Sequence, residues 1–441
     1  MTTSLPRRTF LGLAAAGAGA LATAGCGAGG GTPGGKVTLR YWTWATNAAQ
    51  MAEAWNRTHP RIQVNVVQAA GPDDMLPKLL AAVRAGQGPD IAQAEYHKLP
   101  NLVVSGIAKD ISDYADMFAD RYSDAVRELV TMDGVTYAVP QDVAPMLFMY
   151  RRDLFAKYRL DVPETWEDYA RLARRVPEVA PDSVLGGLPL DASMAAAYAQ
   201  PLGARWWSTD GESWHVGIDG SGTRRIAAFW DELTGHGLTD ESAMWTPEWG
   251  TKMNSGRLLS WTVGAWGPGS AVSVAPKTAG RWAVAPMPTW AGEKSTGLMG
   301  GSSAMLTKDV RHPEAAVEFL TWLNATAAGT RTLAANGGLF PASDPGLEQV
   351  AGRPAPELVK GQRDFWDVAV TAAQRAAPVT WGPNVQVGFD TWEDEVKKVT
   401  GSGASFREVT AATQRAVVAD LERTGFTVTD RPHTSRHRSA T

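Results

Sequence analysis

Lys36-Val37-Thr38-Leu39-Arg40-Tyr41-Trp42 reads as a β-strand, and the text that follows it decides the fold. Asn47–Arg57 carries Met51, Ala54 and Trp55 at helical spacing and stops before Pro60. Ile62, Val64 and Val66 alternate as a second strand. Met75, Leu79, Leu80 and Val83 mark a second helix ended by Gly86, and Asp90–Ala94 returns to strand. Strand, helix, strand, helix, strand is the pattern of a parallel sheet with crossover helices. Further along, Thr165-Trp166-Glu167-Asp168 and Ser405-Phe406-Arg407-Glu408 both fit a capping box. The second opens an amphipathic helix through Val409, Ala416, Val417 and Leu421 that closes near Gly425. Helical spacing also runs through Ile226–Leu233 and Pro313–Leu323. No internal repeat is visible. Asp430–Thr441, with three Arg, two His and no apolar run, reads as a frayed tail.

The 441 residues are 44% hydrophobic, which excludes wholesale disorder, and the length suits about three domains or two large lobes. Net charge is −4, and −6 once Arg7 and Arg8 are set aside with a cleaved leader. A mildly acidic body offers no basic face for phosphates, so no nucleic-acid partner is expected. A single cysteine excludes an intramolecular disulfide and a Cys-based zinc site. Trp, at 18, outnumbers both Phe (11) and Tyr (9), an inversion that points to use beyond core filling.

Residues 1–25 read as an export leader, not as structure. Arg7-Arg8-Thr9-Phe10-Leu11 is a twin-arginine pattern, although Pro6 stands where Ser or Thr is usual. The Ala/Gly-rich run from Phe10 to Ala24, about 15 residues, is too short and too glycine-rich for a stable membrane span. Thr23-Ala24-Gly25-Cys26 resembles a lipobox, with Thr23 in place of the usual Leu, and makes Cys26 the expected lipidation site. A buried, inert cysteine is the competing account. Residues 26–35 are then a Gly-rich tether. Gly30–Val37 nearly spells a P-loop, but it lacks the closing Ser/Thr and precedes a strand instead of joining strand to helix. No Gly-x-Ser-x-Gly elbow and no His-Glu-x-x-His occurs, and the seven His are scattered. Neither a catalytic histidine, nor a metal site, nor a cofactor is expected.

The order of segments resembles the extracellular solute-binding proteins of ABC importers, in the large sugar-binding family that includes maltose-binding protein. The residues that carry the resemblance are Leu39–Trp44 before a helix; Gly88-Pro89-Asp90-Ile91; Gly134–Pro140 followed by Met149–Phe155; Asn254-Ser255-Gly256-Arg257; Gly264-Ala265-Trp266; Gly300-Gly301; and Ala335–Pro341. They span Lys36 to Gly425. Arg151 departs from the usual Asn. The resemblance implies an α/β, two-lobed periplasmic-binding-protein-like fold, each lobe a mostly parallel sheet flanked by helices, with the ligand cleft at the hinge. Lobe one would be 36–139 plus 294–343, lobe two 140–293 plus 344–428, and 429–441 a flexible tail. It further implies a monomer that closes on its ligand and is then recognised by the permease subunits. Such a protein would be lipid-anchored on the outer face of the cytoplasmic membrane.

A pyranose offers an apolar C–H face and a belt of hydroxyls, which suit a rigid indole and a few carboxylates or amides. The loop positions supply both kinds: Trp44 with Thr46 and Asn47; Glu95 and Tyr96; Gln141 and Asp142; Trp266; Trp381. Trp44 and Glu95-Tyr96 follow parallel strands, where open α/β sheets bind ligands. By resemblance these positions tend to face sugar, as does Gly301 in its glycine pair. Asp142 is the favoured carboxylate, since one carboxylate can accept from two vicinal hydroxyls; a turn or cap Asp is the alternative. Core packing is the competing account of every Trp. It is preferred for Trp55, Trp166, Trp230, Trp322 and Trp392 on apolar helix stripes. Of the adjacent Trp206-Trp207, one, taken as Trp207, is a candidate platform. Two other functions stay open: a binder of a different small solute, and a glycoside hydrolase, which also needs a Trp-rich cleft with two carboxylates.

Overall fold

A computed structural model describes residues 35–429, apart from 211–212, 291 and 336–338. The leader, Cys26 and the rest of the tether before Gly35, the centre of the Ala335–Pro341 segment and the tail from 430 lie outside the described residues. Strand β1 (Val37–Thr43) pairs in parallel with β2 (Ile62–Gln68), from Val37 opposite Ile62 to Thr43 opposite Gln68. On its other edge it pairs in parallel with β3 (Ile91–Glu95). Helices Ala48–Thr58 and Pro72–Arg84 make the two crossovers, so the expected β-α-β-α-β order is present. The main sheet continues through β4 (Ala138–Arg151), β5 (Ser260–Gly264), β6 (Trp282–Pro286) and β7 (Leu298–Leu306). Among the described residues its order is β5-β4-β7-β3-β1-β2, with β6 also on β4. The β3-β7, β7-β4, β4-β5 and β4-β6 pairings are antiparallel, so the sheet is mixed.

β4, 14 residues long, changes partners along its length. Its first half, around Ala138–Val143, pairs with β7, while Met146–Arg151 pairs with β5 and β6. Asp142 lies opposite Ser302 in the half that pairs with β7, ahead of the change of partner at Pro145–Met146. Aromatic packing secures each end. Trp55 on the first crossover helix is fully buried, edge-on to Phe319 at 5.4 Å, and its Nε1 donates to the Ile62 carbonyl at 2.9 Å. Far from it, Trp166 gathers Tyr169, Tyr198, Phe229 and Trp290 with centroids 5.2–5.9 Å away.

Both expected capping boxes form. Thr165 caps Trp166–Val179 with Asp168, and Ser405 caps Phe406–Arg423 with Glu408, each worth about 1 kcal/mol to its helix. Arg151, the departure noted above, makes a structural ion pair: Nε and Nη2 reach both Asp153 oxygens at 2.8 Å, and Nη1 donates to the Met253 carbonyl. One boundary moves. Thr427–Thr429 forms a strand parallel to Ser213–Val216, with Thr429 opposite His215, so Thr429 belongs to a sheet and not to the tail. An isolated three-residue tail end has no reason to be ordered; pairing with an edge strand supplies one.

Candidate functional site

Gly300 and Gly301 adopt φ of +91° and +96°, and the β4–β7 register shifts across them. A β-carbon on Gly301 would lie 2.9 Å from the Tyr96 ring and 3.0 Å from the Asp142 carbonyl oxygen. Only glycine fits there. The resulting bulge lets three residues from distant segments converge: Tyr96 after β3, Asp142 in β4, and Trp266 after β5. Trp266 is half-buried, and its Nε1 donates to the Met299 carbonyl at 3.0 Å, which holds the indole beside the glycine pair.

Asp142 is buried and accepts a hydrogen bond from Ser302 Oγ. Burial pushes its carboxyl up to about 7; Ser302 opposes this, and the neighbouring Glu95 carboxylate adds to it. Ser302 also accepts from Gln93 Nε2 at 2.8 Å, and Gln93 Oε1 accepts from Thr43 Oγ1 at 2.5 Å and from the Trp44 amide at 3.1 Å. A buried polar chain therefore runs from the end of β1 to Asp142 and orients the carboxyl. Burial and then the Asp142 charge hold the Tyr96 phenol well above its ordinary range, and its buried hydroxyl, beside the Gln141 backbone, makes no hydrogen bond of good geometry. Such an orphaned hydroxyl is costly unless a ligand or water meets it.

Beside this group, the Glu95 carboxylate lies 2.7 Å from Lys98 Nζ, which also reaches Asp73 at 2.6 Å. Burial works against the ammonium, but Glu95 and Asp73 outweigh it and hold it above its ordinary value. His97 is buried 5.2 Å from Phe389 and 6.0 Å from Trp381, ring to ring, and burial pushes its imidazolium down. Asn101 Nδ2 donates to the Pro383 carbonyl at 3.1 Å, so the segment after β3 touches the segment that carries Trp381. Trp381 also borders a hollow of about 1080 Å³ that Val104, Tyr137, Arg205 and Trp214 help to line.

The other expected site residues are placed differently. Trp207 is a correction: it is 0% exposed, its Nε1 donates to Asn384 Oδ1, and a β-carbon on Gly382 would strike its ring at 2.1 Å. It fills core and offers no face to a ligand. Asn47 is buried too, and its Nδ2 is spent on the carbonyls of Thr332, Leu333 and Ala335, which end helix Ala327–Leu333. Gln141 is fully buried, with its amide bonded to the Tyr41 hydroxyl at 3.0 Å. Both amides hold the framework behind the site. Trp44 is half-buried and faces a separate small hollow against helix Pro72–Arg84, with Met75, Glu95 and Lys98; Thr46 is exposed.

Sequence reasoning missed Gln93, His97, Lys98 and Ser302. Local signals marked three of them, Gln93, Lys98 and Ser302. Gln93 lies two residues before Glu95 on the same face of β3, and Lys98 stands three residues beyond Glu95, within ion-pair reach. Ser302 directly follows the glycine pair. Among the described residues no three His, Cys, Asp or Glu side chains could hold a metal ion, and no helix is long and apolar enough to cross a membrane.

The chain as a whole is similar to known proteins. An arabinooligosaccharide-binding protein of Halalkalibacterium halodurans is 26% identical over 304 residues, covering 65% of this chain and 67% of that protein. A protein of the same name from Bacillus subtilis is 23% identical over 320 residues, 68% of this chain and 72% of that one. Among solved structures, the ABC transporter associated binding protein of B. animalis subsp. lactis, in complex with β-1,6-galactobiose, superposes with a TM-score of 0.75 at 27% identity. It covers 90% of this chain and all of its own. The lacto-N-biose complex of a binding protein from Bifidobacterium longum shares the fold, with a TM-score of 0.78 at 24% identity and the same coverage. The sequence profile of one family spans residues 42–330, from the end of β1 past the glycine pair and the helix behind it, and by that match the chain belongs to the bacterial extracellular solute-binding proteins.

Proposed function

We propose that this protein is the carbohydrate-binding subunit of an ABC importer, which takes an oligosaccharide between its lobes and delivers it to the membrane permease. The observation that carries the reading is the convergence at Gly300-Gly301 of an aromatic face, Trp266, a buried carboxyl, Asp142, and an unsatisfied phenol, Tyr96. An indole takes the C–H face of a sugar ring while the carboxylate and phenol meet its hydroxyls. The named relatives bind arabinooligosaccharides, and the solved neighbours hold disaccharides, which favours short oligosaccharides over single sugars. The lobes are 36–139 with 294–343 and 140–293 with 344–429, hinged along β4. Ligand bridging both shifts the population to the closed form.

Binding occurs without turnover. A hydrolase needs a second free carboxyl across the scissile bond, and Glu95 is tied to Lys98. Export and anchoring through Cys26 follow from the leader; the protein acts as a monomer at the outer face of the membrane. A thermal-shift screen of the processed protein against arabino- and galacto-oligosaccharides, followed by calorimetry and mass spectrometry, tests the reading. A raised Tm with the sugar recovered intact supports it, whereas no shift with any saccharide, or overnight cleavage of the best binder, defeats it. For the anchor, Cys26→Ala should move the protein out of the membrane fraction. Wild-type protein with an unmodified Cys26 refutes that part alone.

A further inference from the structure

Among the described residues, three non-glycine residues have left-handed backbone: Asp133, Arg159 and Trp245. Two have ordinary causes. Asp133 precedes Gly134 in the tight turn between strands Thr131–Met132 and Val135–Thr136, and Arg159 is the C-cap of helix Arg152–Tyr158. Trp245, at φ +69°, has neither. It stands before the N-cap Thr246 of helix Pro247–Ser255, and a side chain this bulky is an outlier in that region. It is also 43% exposed.

Its neighbours give the strain a direction. Trp249 and Trp261 are buried, Trp266 is half-buried, and Trp245 completes the series at the surface. Trp245 lies 5.5 Å from Trp249, 5.6 Å from Trp261 and 6.1 Å from Trp266, with its plane only 29° from that of Trp266. Packing on Trp249, the third residue of the following helix, accounts for one of these contacts. It does not account for a strained backbone that leaves the indole in water and nearly parallel to the site tryptophan. Backbone strain that packing does not need collects at binding sites.

We propose that Trp245 is a ligand-contacting residue: its indole continues the Trp266 surface toward solvent and stacks on the outer ring of a bound oligosaccharide. This rests on the carbohydrate reading above and extends it, because a platform of two successive indoles selects ligands of at least two rings. The terminal sugar of a longer ligand lies over Trp245, while the inner ring lies at Trp266 and Asp142.

Two variants test it by calorimetry with the best disaccharide or trisaccharide of the panel, alongside thermal melts. Trp245→Asn keeps a residue that tolerates the left-handed backbone and removes the ring. It should bind about tenfold more weakly than wild type with a Tm within a few degrees of it. Trp245→Phe should stay within about threefold of wild type. Asn-variant binding equal to wild type overturns the assignment. So does a loss of binding accompanied by a Tm drop of about 10 °C or more, which makes Trp245 a packing residue. A Phe variant as weak as the Asn variant overturns stacking as the mode. Wild type that binds no saccharide overturns the carbohydrate reading itself, and that outcome is visible before either variant is made.

Discussion

Two tryptophan groups in this molecule look alike in sequence and differ in what surrounds them. Trp206, Trp207, Trp381 and Trp392 are all buried, and Gly382 and Gly388 press flush against the Trp207 ring. Trp245, Trp249, Trp261 and Trp266 instead run from buried to exposed, and Trp266 is held through its Nε1, which donates to the Met299 carbonyl, while its ring stays half-buried. The difference lies in the neighbours. Trp207 is enclosed on every side and its Nε1 is spent on a buried Asn384, whereas Trp266 is fixed by one carbonyl and keeps part of its ring open to solvent.

The sharpest way to break this comparison is to truncate one member of each group. Trp207→Ala should cost about 3–5 kcal/mol of stability, because it empties a closed site and orphans Asn384 Oδ1. Protein that still folds should bind sugar as before. Trp266→Ala should show the reverse: dissociation weakened about 30-fold, near 2 kcal/mol, with a smaller loss of stability. Urea titration with calorimetry on both variants reads the two quantities separately. A Trp207 variant that melts normally and loses ligand would place the binding face in the wrong group.

The same comparison explains how much could be read before the structure. The crossover order of β1 to β3, the two capping boxes and the helix stripes with Trp55, Trp166, Trp230 and Trp392 depend on residues within one or two turns of each other, so their pattern is visible in the text. Asp142 and Trp266 were reachable because their positions after or within strands restrict where they point. The fate of Asn47 rests on carbonyls 285 to 288 residues away, and that of Trp207 on Asn384, 177 residues away. No local spacing records contacts of that range. Trp245 stands in the sequence only as an aromatic four residues before Trp249, and its left-handed backbone has no signature there.

The last test concerns the carboxyl beside the Trp266 face, where the expected effects are smaller but opposed in sign. Asp142 titrates near 7 in the folded protein against an ordinary value of 3.8. Between those values the folded state keeps a proton that the unfolded chain has released. Its contribution to stability is therefore fully present below about 3.8 and is lost as pH rises toward 7. Sugar hydroxyls donate best to the ionised form, so affinity should move the other way and increase from pH 6 to 8. Asp142→Asn has no charge to gain or lose, and it can still accept from Ser302. Its melting temperature should be less sensitive to pH than that of wild type, and its affinity should be flat with pH and about tenfold below wild type at pH 8. Melts and calorimetry at half-unit steps from pH 5 to 8 resolve both curves. Wild-type affinity that falls across this range would show Asp142 acting as a protonated donor, with Tyr96 or the Trp266 face left as the main anchor.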